Sequence, residues 1–484
     1  MTIQSISMNR ITVWALSLIL FTAIASAQKP DRSSPPQLGP PPFLHLNDIQ
    51  RFTLSNGLSI VLYEKHDVPL VEVNLIVNSG SVNDPAGKPG VASMTAALMT
   101  EGAGARSALD VADAAEFLGA ELRVTSGLHS MIVAMNVPSE QIDSALALFA
   151  DVALRPSFPQ AELDRKRAER LTSYNQWRDE PRMLASILFN RSLFGATHPY
   201  GIPQVGTQQS ITLLTVGDLK DFHGKNFTPL NSAAVVVGDV TPKTLIPRLE
   251  KLFGKWKGAK PEQVKLPVVP QVQGKTILLV DKPGAAQTEI RIGRIGAQRL
   301  TPDYYDLIVM NSILGGSFSS RLNQNLRETH GYTYGASSRF DFRPEPGPFV
   351  AGAGVQTAVT DSALVEFLKE LRSIGNGVTE KELGRAKNYV ALGYPADFQS
   401  VSSIASQLNE AVIYNLPPTF FNTYIEKILQ VNKDGVDQAA RKYIDPEKLL
   451  IVLVGDRAQI EQKVAALNIA PVTVVPVDDV LAGK

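Results

Sequence analysis

Apolar and polar positions alternate over Arg51–Leu54 and again over Ser59–Glu64, on either side of Asn56-Gly57. A period of two around that dipeptide predicts an antiparallel hairpin. Leu70–Ser79 predicts a further strand. Over Val91–Thr100 the period becomes helical, with Val91, Met94 and Leu98 on one face and alanines between. Ala108–Leu118 predicts a second helix, Leu122–Ser126 and Met131–Val137 two more strands, and Gln141–Ala153 an amphipathic helix. Ala161–Trp177 reads as a long charged helix with prolines before and after it. Helices follow blocks of strands and do not alternate with them. The fold class expected is therefore α+β, a mostly antiparallel or mixed sheet packed with helices.

The pattern occurs twice. Val235-Val236-Val237-Gly238-Asp239 returns as Val452-Leu453-Val454-Gly455-Asp456, and Leu70-Val71-Glu72-Val73 returns as Gln287-Thr288-Glu289-Ile290, both 217 residues later. Phe158–Arg165 matches Val378–Arg385 at a shift of 220. A nearly constant shift at three places implies two homologous modules, residues 44–259 and 274–484. Residues 260–273 between them contain three prolines and no helical period, and read as a linker.

The first residues read as an address. Arg10, the apolar run Ile11–Ala25 and Ala25-Ser26-Ala27 make a signal peptide over residues 1–27, with cleavage before Gln28. The run is shorter than the ~20 residues of a membrane span. No later stretch is long and apolar enough to span, so no membrane span is expected after cleavage. The protein is expected to be exported, and periplasmic in a Gram-negative source. Residues 28–43 are Pro-rich and read as a tether. Across 484 residues, 44% are hydrophobic and 47 basic side chains balance 47 acidic ones. Neutral balance argues against a nucleic-acid partner. There is no cysteine, which excludes disulfides, thiolate metal sites and cysteine nucleophiles.

Six histidines are present, His45, His66, His129, His198, His223 and His330, and no two stand at i, i+4. A zinc peptidase helix needs two imidazoles on one face and a carboxylate beside them. No metal ligand set is therefore assigned, and packing or surface roles are expected for all six. One stretch has chemical character. Gly315-Gly316-Ser317 leads through Arg321 into a short helix bearing Arg327, followed by Gly331 and Tyr334. A fixed cation and a phenol suit the binding of a peptide carbonyl. A helix end closed by Gly331, with Arg327 paired to an acid, accounts for the same residues.

Phe52–Val61, Gly80-Ser81-Val82-Asn83-Asp84, Gly90-Val91-Ala92, and Leu326-Arg327-Glu328 followed by Gly331 and Tyr334 resemble, in this order, the insulinase/pitrilysin superfamily of zinc metallopeptidases. The resemblance is to the branch with mitochondrial processing peptidase and bacterial two-subunit zinc peptidases, and it extends over nearly all the chain beyond the tether. In active members the helix after Gly-x-Ala carries HxxEH. The matching positions here are Ser93, Met94, Thr95, Ala96 and Ala97, so both imidazoles (Ser93, Ala97) and the general base (Ala96) are gone. The family's third ligand, a glutamate roughly 75 residues on, falls near Ser173. Glu169 and Glu180 are the nearest carboxylates and lie off that spacing.

The resemblance implies a division of labour. In two-subunit members one chain keeps HxxEH, and the other lacks it but carries an Arg/Tyr pair facing the partner's zinc. Arg327 and Tyr334 match that pair. This chain is then expected to be inactive alone and to hold no cofactor, with zinc in an HxxEH-bearing homologous partner. The shared substrate would be a peptide. Gly315, Gly316, Ser317 and Arg321 would help to shape the substrate cleft. The alternative is a catalytically dead peptide-binding or scaffold protein.

Overall fold

The computed structural model describes Leu44, Leu46 and residues 48–483. The signal peptide and tether expected over residues 1–43 lie outside the described residues. Twelve strands form two six-stranded sheets. In the first half these are β1 (Gln50–Thr53), β2 (Ser59–Glu64), β3 (Leu70–Val77), β4 (Glu121–Ser126), β5 (Met131–Pro138) and β6 (Ser232–Gly238). In the second half they are β7 (Thr276–Asp281), β8 (Gln287–Ile295), β9 (Ser337–Phe340), β10 (Pro348–Gln356), β11 (Leu450–Gly455) and β12 (Val472–Val475).

The first sheet runs β1-β2-β6-β3-β5-β4 and the second β12-β7-β11-β8-β10-β9. Both have one parallel pair in the same place, β2 with β6 and β7 with β11, and antiparallel neighbours from there to the β4 or β9 edge. The repeat in the sequence is thus a repeat of topology. The far edge differs. There β1 pairs antiparallel with β2, whereas β12 pairs parallel with β7. In the β1–β2 turn Gly57 takes φ +89°, and Asn56 donates to the carbonyls of Phe253 (2.8 Å) and Trp256 (3.0 Å).

Four helices place the functional surfaces: α1 (Val91–Met99), α2 (Gln160–Trp177), α3 (Pro181–Phe194) and α4 (Val401–Ile413). Ile60, Leu62, Val73 and Leu75 pack on helices of their own half. The outer face of the first sheet, with Val61, Tyr63, Ile76, Val235 and Val237, is covered by α4 from the second half through Ile404, Ala405 and Leu408. Reciprocally, α3 from the first half covers Val350, Leu450, Val452 and Val454 of the second sheet through Leu184, Ile187 and Leu188. Burial on both faces explains why the central strands are continuous apolar runs. Each large aliphatic side chain so buried contributes about 1.5–3 kcal/mol. The halves are therefore clasped, although residues 256–273 between them carry neither helix nor strand. Among the described residues no helix is long and apolar enough to cross a membrane.

Candidate functional site

Helix α1 begins at Gly90, held at φ +98°, where a Cβ would lie 2.5 Å from the Val205 carbonyl oxygen. Asp84 caps it, accepting from Gly90 N (2.6 Å) and Ala92 N (2.7 Å). Burial raises the Asp84 carboxyl to about 7, against the pull of those two bonds and of Arg170. Val91, Met94, Leu98 and Met99 turn into the core, which leaves Ser93 and Ala97 half-buried on one face and Ala96 buried beside them.

Helix α2 packs on α1 and brings a guanidinium to that face. Arg170 Nη2 donates to the Ser93 carbonyl (2.8 Å) and to Ser93 Oγ (3.0 Å), and its charge acts on Asp84. Burial holds Arg170 down to about 10. Ser173 is one turn further along, with its hydroxyl donating to the Glu169 carbonyl (3.1 Å). Tyr174 beside it is buried and donates to the Gly206 carbonyl. Glu169 is turned outward onto Arg165 (2.5 Å). Ser93, Ala96, Ala97 and Ser173 offer no imidazole and no carboxylate, and a cation already sits on Ser93, so these positions do not fit zinc. Among the described residues no group of three His, Asp or Glu side chains could hold a metal. Sequence reasoning missed Arg170. The available signal was its position four residues before Tyr174, on the same face of α2.

The five described histidines are engaged elsewhere. His66 meets Asp239 (2.7 Å) and His129 meets Tyr200 Oη (2.6 Å). His198 caps Tyr200 N (3.0 Å), His223 meets the Ala153 carbonyl (2.9 Å), and His330 stacks on Tyr332. His45 lies outside the described residues.

The second constellation lies around the β9 edge. Gly315 and Gly316 permit close approach: a Cβ would come 2.3 Å from Ser338 N at the first and 2.7 Å from Asn311 Nδ2 at the second. Ser317 Oγ donates to the Ser312 carbonyl (3.0 Å). Arg321 grips Glu382 with two nitrogens (2.7 and 3.0 Å) and donates to the Gly377 carbonyl (3.1 Å). Burial opposes charge on Glu382, yet Arg321 and Thr379 hold it at about 2. The Arg321 guanidinium thus joins the loop to the helix Glu380–Gly393, while Gly315, Gly316 and Ser317 shape the turn itself.

Arg327 sits in a one-and-a-half-turn π-helix, Gln324–Thr329, with its guanidinium 4.5 Å from the Phe318 ring centroid and Nε 3.5 Å from Glu328. Gly331 follows at φ +65° and donates to the Arg327 carbonyl (3.1 Å). Thr333 is pinned to β10, its hydroxyl donating to the Gly354 carbonyl (2.8 Å). Tyr334, next in the chain, is 90% exposed, and Phe318 is 65% exposed. The exposed Phe318 ring with Arg327 over it suits a contact surface, and the Tyr334 ring is exposed in its own right.

The sequence profile described as Insulinase (Peptidase family M16) matches residues 59–197, and that described as Peptidase M16 inactive domain matches residues 214–390. The chain belongs to the M16, insulinase-type peptidase family. An uncharacterized zinc protease of Mycobacterium tuberculosis (strain H37Rv) is 27% identical over 398 residues, 81% of this chain and 90% of that protein. The uncharacterized zinc protease YmxG of Bacillus subtilis is 23% identical, covering 84% of this chain and 98% of its own. The crystal structure of a peptidase M16 inactive domain from Pseudomonas fluorescens superposes with a TM-score of 0.79 at 28% identity, over 85% of this chain and 98% of that one. A protease from Helicobacter pylori shares the fold, with a TM-score of 0.75 at 21% identity over 84% and 100%. This M16 chain keeps the two-module architecture and has a guanidinium tied to Ser93 at the start of α1.

Proposed function

We propose that this chain is the non-catalytic, substrate-binding subunit of an exported heteromeric zinc metallopeptidase that degrades or processes peptides. One observation carries the reading. Arg170 is seated on Ser93 where the family places its metal ligands, while Arg327 and Tyr334 stand at the surface with no buried structural partner. In the complex, zinc in the HxxEH-bearing homologous partner supplies the activated water. Arg327 and Tyr334 contribute an N–H cation and a phenol O–H to the scissile carbonyl oxygen, and these donors strengthen as negative charge develops there. The open edge strand β4, beside α1, offers backbone groups to an extended peptide. That edge also favours the second reading, a peptide-holding or scaffold protein with no part in hydrolysis.

The test is zinc content and peptide hydrolysis, measured on this chain alone and mixed with an HxxEH-bearing homologue from the same source. Zinc and activity are expected only in the mixture. Arg327→Ala and Tyr334→Phe should each lower kcat of the mixture by about 10²–10³. A mixture indifferent to both substitutions would leave the scaffold reading standing in place of the trans-acting one.

A further inference from the structure

The internal duplication supplies its own control for one polar cluster. On the outer face of the first sheet Glu72 lies mid-β3, fully buried. Its Oε2 accepts from Asn136 Nδ2 (2.9 Å) and Ser402 Oγ (2.8 Å), and its Oε1 lies 3.3 Å from Arg123. The Asn74 amide, with its nitrogen toward Glu72, donates to Oε1 (3.0 Å) and accepts from Asn409 (2.9 Å). Every oxygen of the Glu72 carboxylate thus has a partner, and Arg123 balances its charge.

Register gives the counterparts in the second sheet. Glu289 faces Gly354 as Glu72 faces Asn136. Arg291 aligns with Gly352 and Ser337 as Asn74 aligns with Ala134 and Arg123. Arg182 is the second residue of α3, as Ser402 is of α4. The carboxylate has been kept, while its neutral partners have become arginines and glycines. Glu289 Oε1 lies 3.1 Å from Arg291 Nη2 and 3.9 Å from Arg182 Nε. Arg339, two residues along β9 from Ser337, projects to the same face. Two guanidinium groups thus stand beside one carboxylate, and the charge of Arg339 acts on one of them, Arg291.

Two features mark this cluster as incomplete. Arg291 is only 12% exposed, and its Nε is buried without an acceptor. An orphaned donor of that kind costs about 1–3 kcal/mol. Burial, with Arg339 and Arg182 adding to it, holds the Arg291 guanidinium below its ordinary value, against the pull of Glu289. Gly352 and Gly354 add no side chain of their own, a Cβ at Gly354 lying 3.3 Å from Gln287 Oε1 and 3.4 Å from Glu289 Oε2, while Arg182 is 79% exposed and Arg339 stands on the open β9 edge.

We propose that this face of the second sheet is an oxyanion-binding groove that takes a carboxylate or phosphate group, with Arg182 and Arg339 as arms over a base of Arg291. Planar guanidinium forks match both anions. The inference does not depend on a zinc-bearing partner, and binding to the full chain alone reads it.

Titration calorimetry of the full chain distinguishes the sources. The probes are inorganic phosphate, a short peptide with free glutamate and C-terminal carboxylates, and the same peptide fully amidated. Phosphate and the acidic peptide should compete, and the amidated peptide should not bind. Arg182→Ala with Arg339→Ala, both at exposed positions, should weaken binding about tenfold or more. Gly354→Asn, which restores the side chain of the first sheet, should do the same with the melting temperature retained. Equal binding by wild type and both variants, or heat no greater than chloride gives at equal ionic strength, would overturn the proposal.

Discussion

Arg170→Met removes the cation that joins α2 to Ser93. The guanidinium makes a shared pair of hydrogen bonds through one nitrogen, worth about 1.5–3 kcal/mol together because the donor is charged. Asp84 loses a neighbouring positive charge, worth about 1 kcal/mol at this depth. Methionine regains the desolvation that holds Arg170 near 10, which offsets part of the loss. The net cost is about 2 kcal/mol. Unfolding entropy of about 2.1 cal/mol/K per residue, over roughly 440 residues melting together, gives about 0.9 kcal/mol/K, so Tm should fall by about 2 °C. If only the first half melted, the same loss would lower Tm by about 4 °C. The pH dependence carries the sharper test. Asp84 is raised to about 7 in the folded chain, so its contribution is fully present below its unfolded value and is lost as pH rises through 7. Removing Arg170 lets burial raise Asp84 further. The variant should therefore lose more stability at pH 8 than at pH 5, with Arg170→Lys intermediate. Calorimetry at both pH values reads this. A loss of the same size at pH 5 and pH 8, or none at all, would refute the role given to Arg170.

Restoring HxxEH alone, through Ser93→His, Ala96→Glu and Ala97→His, should not give stoichiometric zinc, because Arg170 occupies the face and Ser173 supplies no carboxylate; elemental analysis of the folded triple variant checks it. Phe189→Ala on α3 should destabilise the whole chain by about 3–5 kcal/mol, since Phe189 packs against Gly293 of the other half, and melting should remain a single transition by calorimetry and circular dichroism. Tyr334→Phe should leave Tm unchanged, as expected for a ring 90% exposed, while lowering hydrolysis in the reconstituted mixture. A fall in Tm with that substitution would point to a structural role.

The strands and their repeat were legible in the sequence for a definite reason. Val235–Val237 and Val452–Val454 are apolar on both faces because both faces are buried, and each run ends at a glycine in the tight space beside a neighbouring strand: a Cβ at Gly238 would lie 2.2 Å from the Leu70 carbonyl oxygen. The absence of imidazole and carboxylate at Ser93, Ala96, Ala97 and Ser173 was legible because it is a matter of residue type. The exchange of helices was not. Val401–Ile413 spells an apolar face without saying which sheet receives it, and pairing over so long a stretch of chain leaves no periodic trace. Arg170 was hidden by its company, since α2 carries charges all round and only packing selects the one that turns inward. The arginine cluster was hidden for a similar reason. Arg182, Arg291 and Arg339 lie on three elements and become neighbours only through the register of β8, β9 and β10 and the packing of α3 on that sheet.

The exchanged helices tie the two candidate surfaces to one another. Helix α2 carries Arg170 to Ser93, and Pro181 opens α3 a few residues later, after the turn at Arg178–Glu180. Helix α3 then lays Arg182 beside Glu289 and packs its apolar face on the second sheet. A shift of α2 against α1 would have to be absorbed within that short turn or passed to α3 and to the floor of the arginine cluster. The turn is itself anchored to the second half, with Lys282 donating to the Arg178 carbonyl (3.1 Å) and pairing with Asp179. Ser93 and the arginine cluster on the second sheet are therefore joined by one helix–turn–helix arm. The Arg170 clasp fixes that arm to α1.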